Sequence, residues 1–320
     1  MSDFVSAKAV RIPVGIVGAG RSRGGLGPFL AQFLEQEGCL VAGISGRSVE
    51  RAIANAEAIG RQLGHEVKPF ASPAELCANG ISALVIASPA EFHLEALQAA
   101  AGAGLPTLCE KPLVHENHGK EGAEQIEIFS RKRLPLVENC QWPYLLPAFF
   151  QLHGPLETAE RLTVEMGLGP PRPGREMVQN VVSHLLSVIQ AVAPMDSGAV
   201  VTEVSIADPP FEKRQNLLRF VIATPKKAVE GSLHLEICEV GPRPAWLAIN
   251  GHRMDRRVRP GYAITFSANG TEVAVADPTP EVVRHFLELM RGRESVFVDE
   301  EHDRIRQRLS FYRQILQKLE

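Results

Sequence analysis

Cysteine is sparse and unpatterned in this chain. Cys39, Cys77, Cys109, Cys140 and Cys238 are odd in number and widely spaced, with no CxxC and no Cys/His cluster. That excludes a disulfide framework and a zinc site and points to free thiols in a reducing compartment. The ten histidines are equally scattered, none in a metal-ligand spacing, and no metal is expected. No apolar run approaches the ~20 residues of a membrane span. Residues 1–11 are polar and lack the apolar stretch of a secretory signal, so a cytoplasmic location without a membrane partner is expected. Basic tracts are missing too. Net charge is −3, and Arg131-Lys132-Arg133 and Arg253 with Arg256-Arg257 read as solvated helix ends or strand faces. Nucleic acid is not an expected partner, because phosphate binding needs a clustered basic face. Internal repeats and low-complexity stretches are also lacking.

What is present suits two globular domains: 320 residues, 45% hydrophobic and 22% charged. Up to about residue 140, short apolar runs alternate with helical patterns, the signature of βαβ units on a parallel sheet. Strands are expected at 14–17, 40–44, 83–87, 107–109 and 136–137. Helices are expected at about 28–37, from Ser48 on, after the capping box Ser72-Pro73-Ala74-Glu75, at 91–103 and at 118–131. Beyond residue 150 the apolar period becomes two, with strands expected at 161–166, 201–206, 217–223, 228–239 and 246–258. One apolar helix, 176–192, interrupts them, and helices at 280–291 and 299–319 close the chain. The expected architecture is α/β. A Rossmann, doubly wound parallel sheet occupies residues 1–140, and an α+β domain with an open, mostly antiparallel sheet occupies 141–320.

Gly18-Ala19-Gly20 follows the first strand and leads into the first helix, where a dinucleotide fold needs glycines. Gly18 permits the tight turn, Gly20 lets the backbone approach a pyrophosphate, and the helix N-terminus offers unpaired N–H groups. Strict spacing puts a third glycine at Arg23. The chain instead has Arg21-Ser22-Arg23-Gly24-Gly25-Leu26-Gly27, a longer loop whose Arg21, Ser22 and Arg23 suit charge-assisted phosphate contacts. At the end of the second strand, Ser45-Gly46-Arg47-Ser48 holds no carboxylate for a ribose 2′-hydroxyl. Arg47 and the serines suit a 2′-phosphate, so NADP(H) is expected over NAD(H). Ser48 is also a natural helix N-cap.

Ser88-Pro89, His93 and Glu110-Lys111-Pro112 form an ordered set at the ends of the fourth and fifth strands. The segment ALVIASPAEFHLEALQAAAGAGLPTLCEKPL resembles the glucose–fructose oxidoreductase / inositol dehydrogenase (Gfo/Idh/MocA) family, most specifically in Glu110-Lys111-Pro112. The resemblance implies a nicotinamide cofactor and a small-molecule substrate, commonly a sugar, polyol or derivative, and a cis bond before Pro112. It also implies cofactor contacts from Ser88, Pro89, His93, Glu110 and Lys111. Lys111 lies where doubly wound folds place ligands, and as a strong donor it suits holding the reacting heteroatom, with Glu110 orienting it. Relatives carry Asp-x-x-x-His on a helix of the second domain. The matching residues here are Asn180 and His184, which spacing places on one helix face, with His184 as acid/base, substrate-orienting donor or core residue. Arg172 and Arg175 precede this helix and suit an anionic substrate group or solvent. Trp142 and Tyr144 suit a pocket wall or packing between domains.

The expected function is an NADP-dependent oxidoreductase acting on a carbonyl/alcohol or imine carbon. The alternative is a non-catalytic dinucleotide sensor of the same fold, suggested by Asn180. Apolar residues on the open sheet also point to a homodimer or homotetramer.

Overall fold

The computed structural model describes residues 11–20, 25–156, 161–170, 173–207, 214–224, 227–259, 263–292 and 295–319. The chain divides into two compact units that interleave along it. The first comprises Met1–Cys109, Ile128–Val137 and Val283–Val298, and the second Glu110–Glu127, Glu138–Val282 and Asp299–Glu320. Segments 110–127 and 283–298 thus lie across the single boundary expected at residue 140.

The first sheet is built from β1 (Ile12–Val17), β2 (Cys39–Ser45), β3 (Lys68–Phe70), β4 (Ala83–Ile86), β5 (Thr107–Cys109) and β6 (Leu136–Glu138). Its order is β3-β2-β1-β4-β5-β6, the Rossmann order. The pairings of β1 with β2 and β4, of β2 with β3 and of β4 with β5 are parallel. Val14, Ile16 and all four residues of β4 are fully buried, as expected when both faces of a parallel sheet are covered. Between the strands run α1 (Gly27–Gln36), α2 (Val49–Leu63), α3 (Pro73–Cys77), α4 (His93–Ala103) and α5 (Gly119–Arg131). Gly38, Gly64 and Gly104 take positive φ just after α1, α2 and α4, which costs least without a Cβ. Ser48 and Ser72 cap α2 and α3 by accepting from the amides of Arg51 and Glu75.

The chain continues through α6 (Leu146–His153), β7 (Arg161–Leu168), α7 (Glu176–Gln179), α8 (Val182–Val192), β8 (Val200–Ile206), β9 (Gln215–Ala223) and β10 (Ala228–Glu236). It ends with β11 (Ala245–Ile249), β12 (His252–Val258), β13 (Ile264–Ala268), β14 (Thr271–Val275), α9 (Thr279–Met290) and α10 (Ser295–Gln317). The eight strands pair in the order β14-β13-β12-β11-β7-β10-β9-β8. Only β7 and β10 run parallel. Alternation gives one face to the core, with Val164, Met166, Leu218, Leu233 and Leu247 at 0% exposure, covered by α6 and α8.

Two expectations need correction. The strand read as 246–258 is a hairpin. Asn250 and Gly251 turn it with φ of 49° and 78°, and Asn269-Gly270 repeats the device between β13 and β14 at 49° and 80°. A two-residue turn with positive φ at both positions favours Asn-Gly. The helix read as 176–192 is broken after Gln179. Val181 sits at φ −128°, ψ −22°, and the amide of His184 bonds to the carbonyl of Val181, three residues back. Asn180 and His184 therefore do not share a continuous helix face, and the Asn180 carbonyl gives up its place in the helical ladder. No helix among the described residues is long and apolar enough to cross a membrane.

Candidate active site

The first unit presents a cradle where the strand order reverses, between β1 and β4. Gly18 follows β1 at φ +84°, its amide bonded to the carbonyl of Ser45 at 3.0 Å. A Cβ there would lie 2.5 Å from the Ser88 backbone, and one on Gly27 would lie 2.5 Å from the Cα of Ala19. Gly27 thus performs the close helix–strand packing of a third glycine, four positions later than strict spacing requires. The first turn of α1 has no side-chain cap, which leaves its amides to an external acceptor. The hydroxyls of Ser45 and Ser88, at the ends of β2 and β4, are buried without a hydrogen-bond partner among the described residues. Orphaned polar atoms beside an uncapped helix start and glycines that admit no Cβ fit a dinucleotide phosphate and ribose. Gly20 ends the described part of this loop. Arg21, Ser22, Arg23 and Gly24 lie outside the described residues.

Arg47 is exposed beyond β2 and lies over the Phe92 ring, 5.1 Å from its centroid. Pro89 is exposed at the start of the next turn. His93 is 1% exposed. Its Nε2 faces the Ser88 carbonyl at 2.7 Å and its Nδ1 the Cys109 sulfur at 3.5 Å. That ring braces the Ser88 loop against β5 and presents no nitrogen outward, so direct cofactor contact from it is not supported.

The second unit gathers the ionisable groups. Lys111 is joined to Pro112 by a cis peptide bond, and its Nζ donates to the carbonyl of Asn180 at 2.6 Å. The break before α8 is what frees that carbonyl. Glu110 accepts from the side-chain amide of Asn139. Burial raises its carboxyl pKa, with Lys111 and the Asn139 bond opposing. His184, in the first turn of α8, keeps partial exposure, but its Nδ1 is buried with no partner among the described residues. Burial, then the positive charges of Lys111, Arg256 and Arg308, hold its pKa well below 6.5. His184 is therefore neutral at pH 7.

Behind this cluster lies a buried ion pair that sequence reasoning missed. Arg308 of α10 donates to Glu138 at 2.6 Å and to Gln190 at 3.0 Å. Their side chains are only 7% (Arg308) and 3% (Glu138) exposed. The other oxygen of Glu138 accepts from the Leu113 amide at 3.0 Å, anchoring the backbone that follows Lys111-Pro112. Removing one partner of such a pair costs about 3–5 kcal/mol. The available signal was Glu138-Asn139, polar residues ending an apolar strand. Arg256 was read as solvated and is partly buried. Its phase on β12 is that of buried Met254, facing the core, whereas Arg253 and Arg257 pair outward with Asp255 and Glu272.

The remaining expected residues lie apart from this cluster or serve packing. Trp142 is 4% exposed, edge-on to Phe266 at 6.2 Å, a core contact. Arg175 forks onto Glu116 at 2.8 and 3.2 Å and bonds the Leu316 carbonyl at 2.7 Å, beside a cavity of about 650 Å³ lined also by Lys120 and Arg313. Arg172 lies outside the described residues. No group of three or more His, Cys, Asp or Glu among the described residues could hold a metal ion.

Fold and cradle define a dinucleotide-binding protein, and comparison with known proteins narrows the class. Residues 12–138 match the GFO_IDH_MocA family, described as an oxidoreductase family with an NAD-binding Rossmann fold. The match covers the first unit's strands and stops short of the second sheet. A 64-residue stretch is 45% identical to inositol 2-dehydrogenase of Streptomyces avermitilis, covering 20% of this chain and 19% of that one. Similarity to solved structures extends over both units. UDP-N-acetylglucosamine 3-dehydrogenase from Acidithiobacillus ferrooxidans aligns with a TM-score of 0.64 at 18% identity, covering 97% of this chain and 100% of that one. An Agrobacterium radiobacter oxidoreductase in complex with NAD+, L-tartaric acid and magnesium aligns at 0.63 and 14%, covering 96% of each chain.

Proposed function

We propose that this chain is an NADP-dependent oxidoreductase acting on a carbonyl/alcohol or imine carbon of a small molecule, a sugar, polyol or derivative. The observation that carries the reading is the Lys111 ammonium, fixed by Asn180 beside a neutral His184. The sugar and polyol dehydrogenases among the similar proteins support the substrate class. A bound nicotinamide supplies a hydride acceptor or donor at its C4. An ammonium has three N–H donors, and one of Lys111's goes to Asn180, so others can reach the reacting oxygen or nitrogen and stabilise negative charge on it. His184, neutral and partly exposed, accepts the hydroxyl proton. The surrounding cations disfavour the imidazolium that this transfer forms, so His184 is a weak base that passes the proton on.

For the cofactor, Gly18, Gly20 and the start of α1 take the pyrophosphate, with Ser45 and Ser88 in reach of the ribose side. Arg47, exposed beyond β2, offers a cation for a 2′-phosphate, and Ser45-Gly46-Arg47-Ser48 holds no competing carboxylate. Ser48 is committed to capping α2. The protein works in the cytoplasm and self-associates through the outer face of its second sheet, where Trp246 lies under Arg253, 4.2 Å from ring centroid to guanidinium carbon.

Turnover is tested by NADP+ reduction at 340 nm across a panel of polyols, sugars and sugar acids. Lys111→Ala is expected to lower kcat at least about a hundredfold. Tight dinucleotide binding with no turnover on the whole panel would make the protein a sensor instead. Arg47→Asp is expected to shift the NADP:NAD preference toward NAD about tenfold or more. Unchanged selectivity would remove the NADP assignment.

A further inference from the structure

The inner face of the second sheet is mostly apolar. Following the register from strand to strand, Arg256 is the only Arg, Lys, Asp or Glu that the described strand residues place there. Its cross-strand neighbours are Ala245 and Phe266, both buried. The guanidinium has one protein partner, the carbonyl of Arg243 at 2.9 Å, and its Nε is buried with none. No carboxylate pairs with it among the described residues. The other two cations nearby are differently placed. Arg308 is matched by Glu138, and Lys111 has Glu110 beside it in the chain.

A partly buried cation without a counter-charge carries a desolvation cost, and proteins normally pair or hydrate such groups. Arg256 lies near enough to His184 for its charge to depress that residue's protonation, while burial disfavours its own charge. The helix that carries His184, α8, packs on the same inner face of the sheet, against β7 and β10, and the Nε of Arg256 lacks an acceptor among the described residues. We propose that Arg256 binds substrate, and that the substrate carries an anionic oxygen group, carboxylate or phosphate, received by Arg256 while Lys111 and His184 hold the reacting carbon's oxygen. The inference rests on the reading of Lys111 and His184 as the reacting site and adds the charge of the molecule bound there. A planar guanidinium with unused donors matches such a group two bonds at a time.

The test compares D-gluconate, D-glucose 6-phosphate and neutral myo-inositol and D-glucose. Binding is measured by calorimetry with saturating NADP+, and turnover by NADPH absorbance. At least one of the two anions is expected to bind about tenfold or more tighter than the neutral compounds. Gluconate preference identifies a carboxylate and glucose 6-phosphate preference a phosphate. Arg256→Met, with its fold checked by circular dichroism, is expected to abolish the difference. Arg256→Lys keeps charge without the fork and is expected to retain part of it, which preserves the test if Arg256→Met does not fold. Neutral compounds binding as well as both anions, no anion binding at millimolar concentration, or a preference that survives Arg256→Met would each overturn the proposal. Anion binding that depends on Arg256 without NADPH production would leave it standing and remove the oxidoreductase reading. Turnover of neutral polyols indifferent to Arg256→Met would do the reverse.

Discussion

At the residue scale, the environment of His184 differs from that implied by an Asp-x-x-x-His pair. Three cations and burial act on it in the same direction, and Asn180 contributes a backbone carbonyl to Lys111. In the folded protein the imidazole stays neutral below the ordinary histidine value of 6.5. In the unfolded chain it protonates there. The unfolded state therefore binds more protons as pH falls below about 6.5, and folding stability declines in that window at up to about 1.4 kcal/mol per pH unit from this group. Urea unfolding at pH 7.5 and 5.5 is expected to show a smaller acid loss for His184→Gln than for the parent. Equal losses would mean that His184 already protonates in the native state. Glu110 acts with the opposite sign. Its raised pKa makes its contribution largest below the ordinary carboxylate value and lost as pH rises through the folded one.

At the element scale, the junction of β1 and α1 shows how spacing misleads and packing decides. The sequence places a glycine loop after β1, but its pattern departs from strict spacing at Arg23. Gly27 meets the backbone of Ala19, which cannot yield as a flexible side chain would. Gly27→Ala is expected to push the start of α1 off β1, lowering NADP(H) affinity about tenfold or more and stability by about 1–3 kcal/mol. NADPH fluorescence titration and thermal unfolding measure both. Retained affinity would place the phosphate site elsewhere. The broken helix at Asn180–Val181 is the complementary case. Nothing in the run Glu176 to Val192 breaks a helical pattern locally, since it holds neither Pro nor Gly. The carbonyl released at the break is taken by the Lys111 ammonium, 69 positions away in the chain. The two Asn-Gly hairpins were legible in principle, as Asn-Gly between alternating residues is a strong turn signal. The run from Trp246 to Val258 hid the first because apolar alternation continues on both sides of it.

At the scale of the whole molecule, the second sheet has one face on the core and one bearing Trp246, Arg253, His234 and Glu165. The indole covers Gly167, where even a Cβ would lie 1.9 Å from the ring nitrogen. The His234 ring lies tilted against it at 4.9 Å between centroids. A face that holds a large aromatic flat beneath a guanidinium suits burial against a second copy. Light scattering at micromolar concentration is expected to show a dimer or tetramer, and Arg253→Glu to shift it toward monomer. A monomeric parent protein would overturn this assignment.

The sequence by itself determined the class of fold. The change of apolar period from continuous buried strands to alternation near residue 150 dictates a parallel sheet followed by a mostly antiparallel one, because faces covered on both sides and on one side demand different patterns. It also placed the glycine loop, the caps of α2 and α3 and Glu110-Lys111-Pro112 at strand ends. Tertiary structure alone decided which polar groups meet. Glu138 and Arg308 are 170 positions apart, and Arg256 reads like its solvated neighbours until the sheet's register turns it inward. Periodicity reports which face a residue shares, but not which distant charge it is left with, or without.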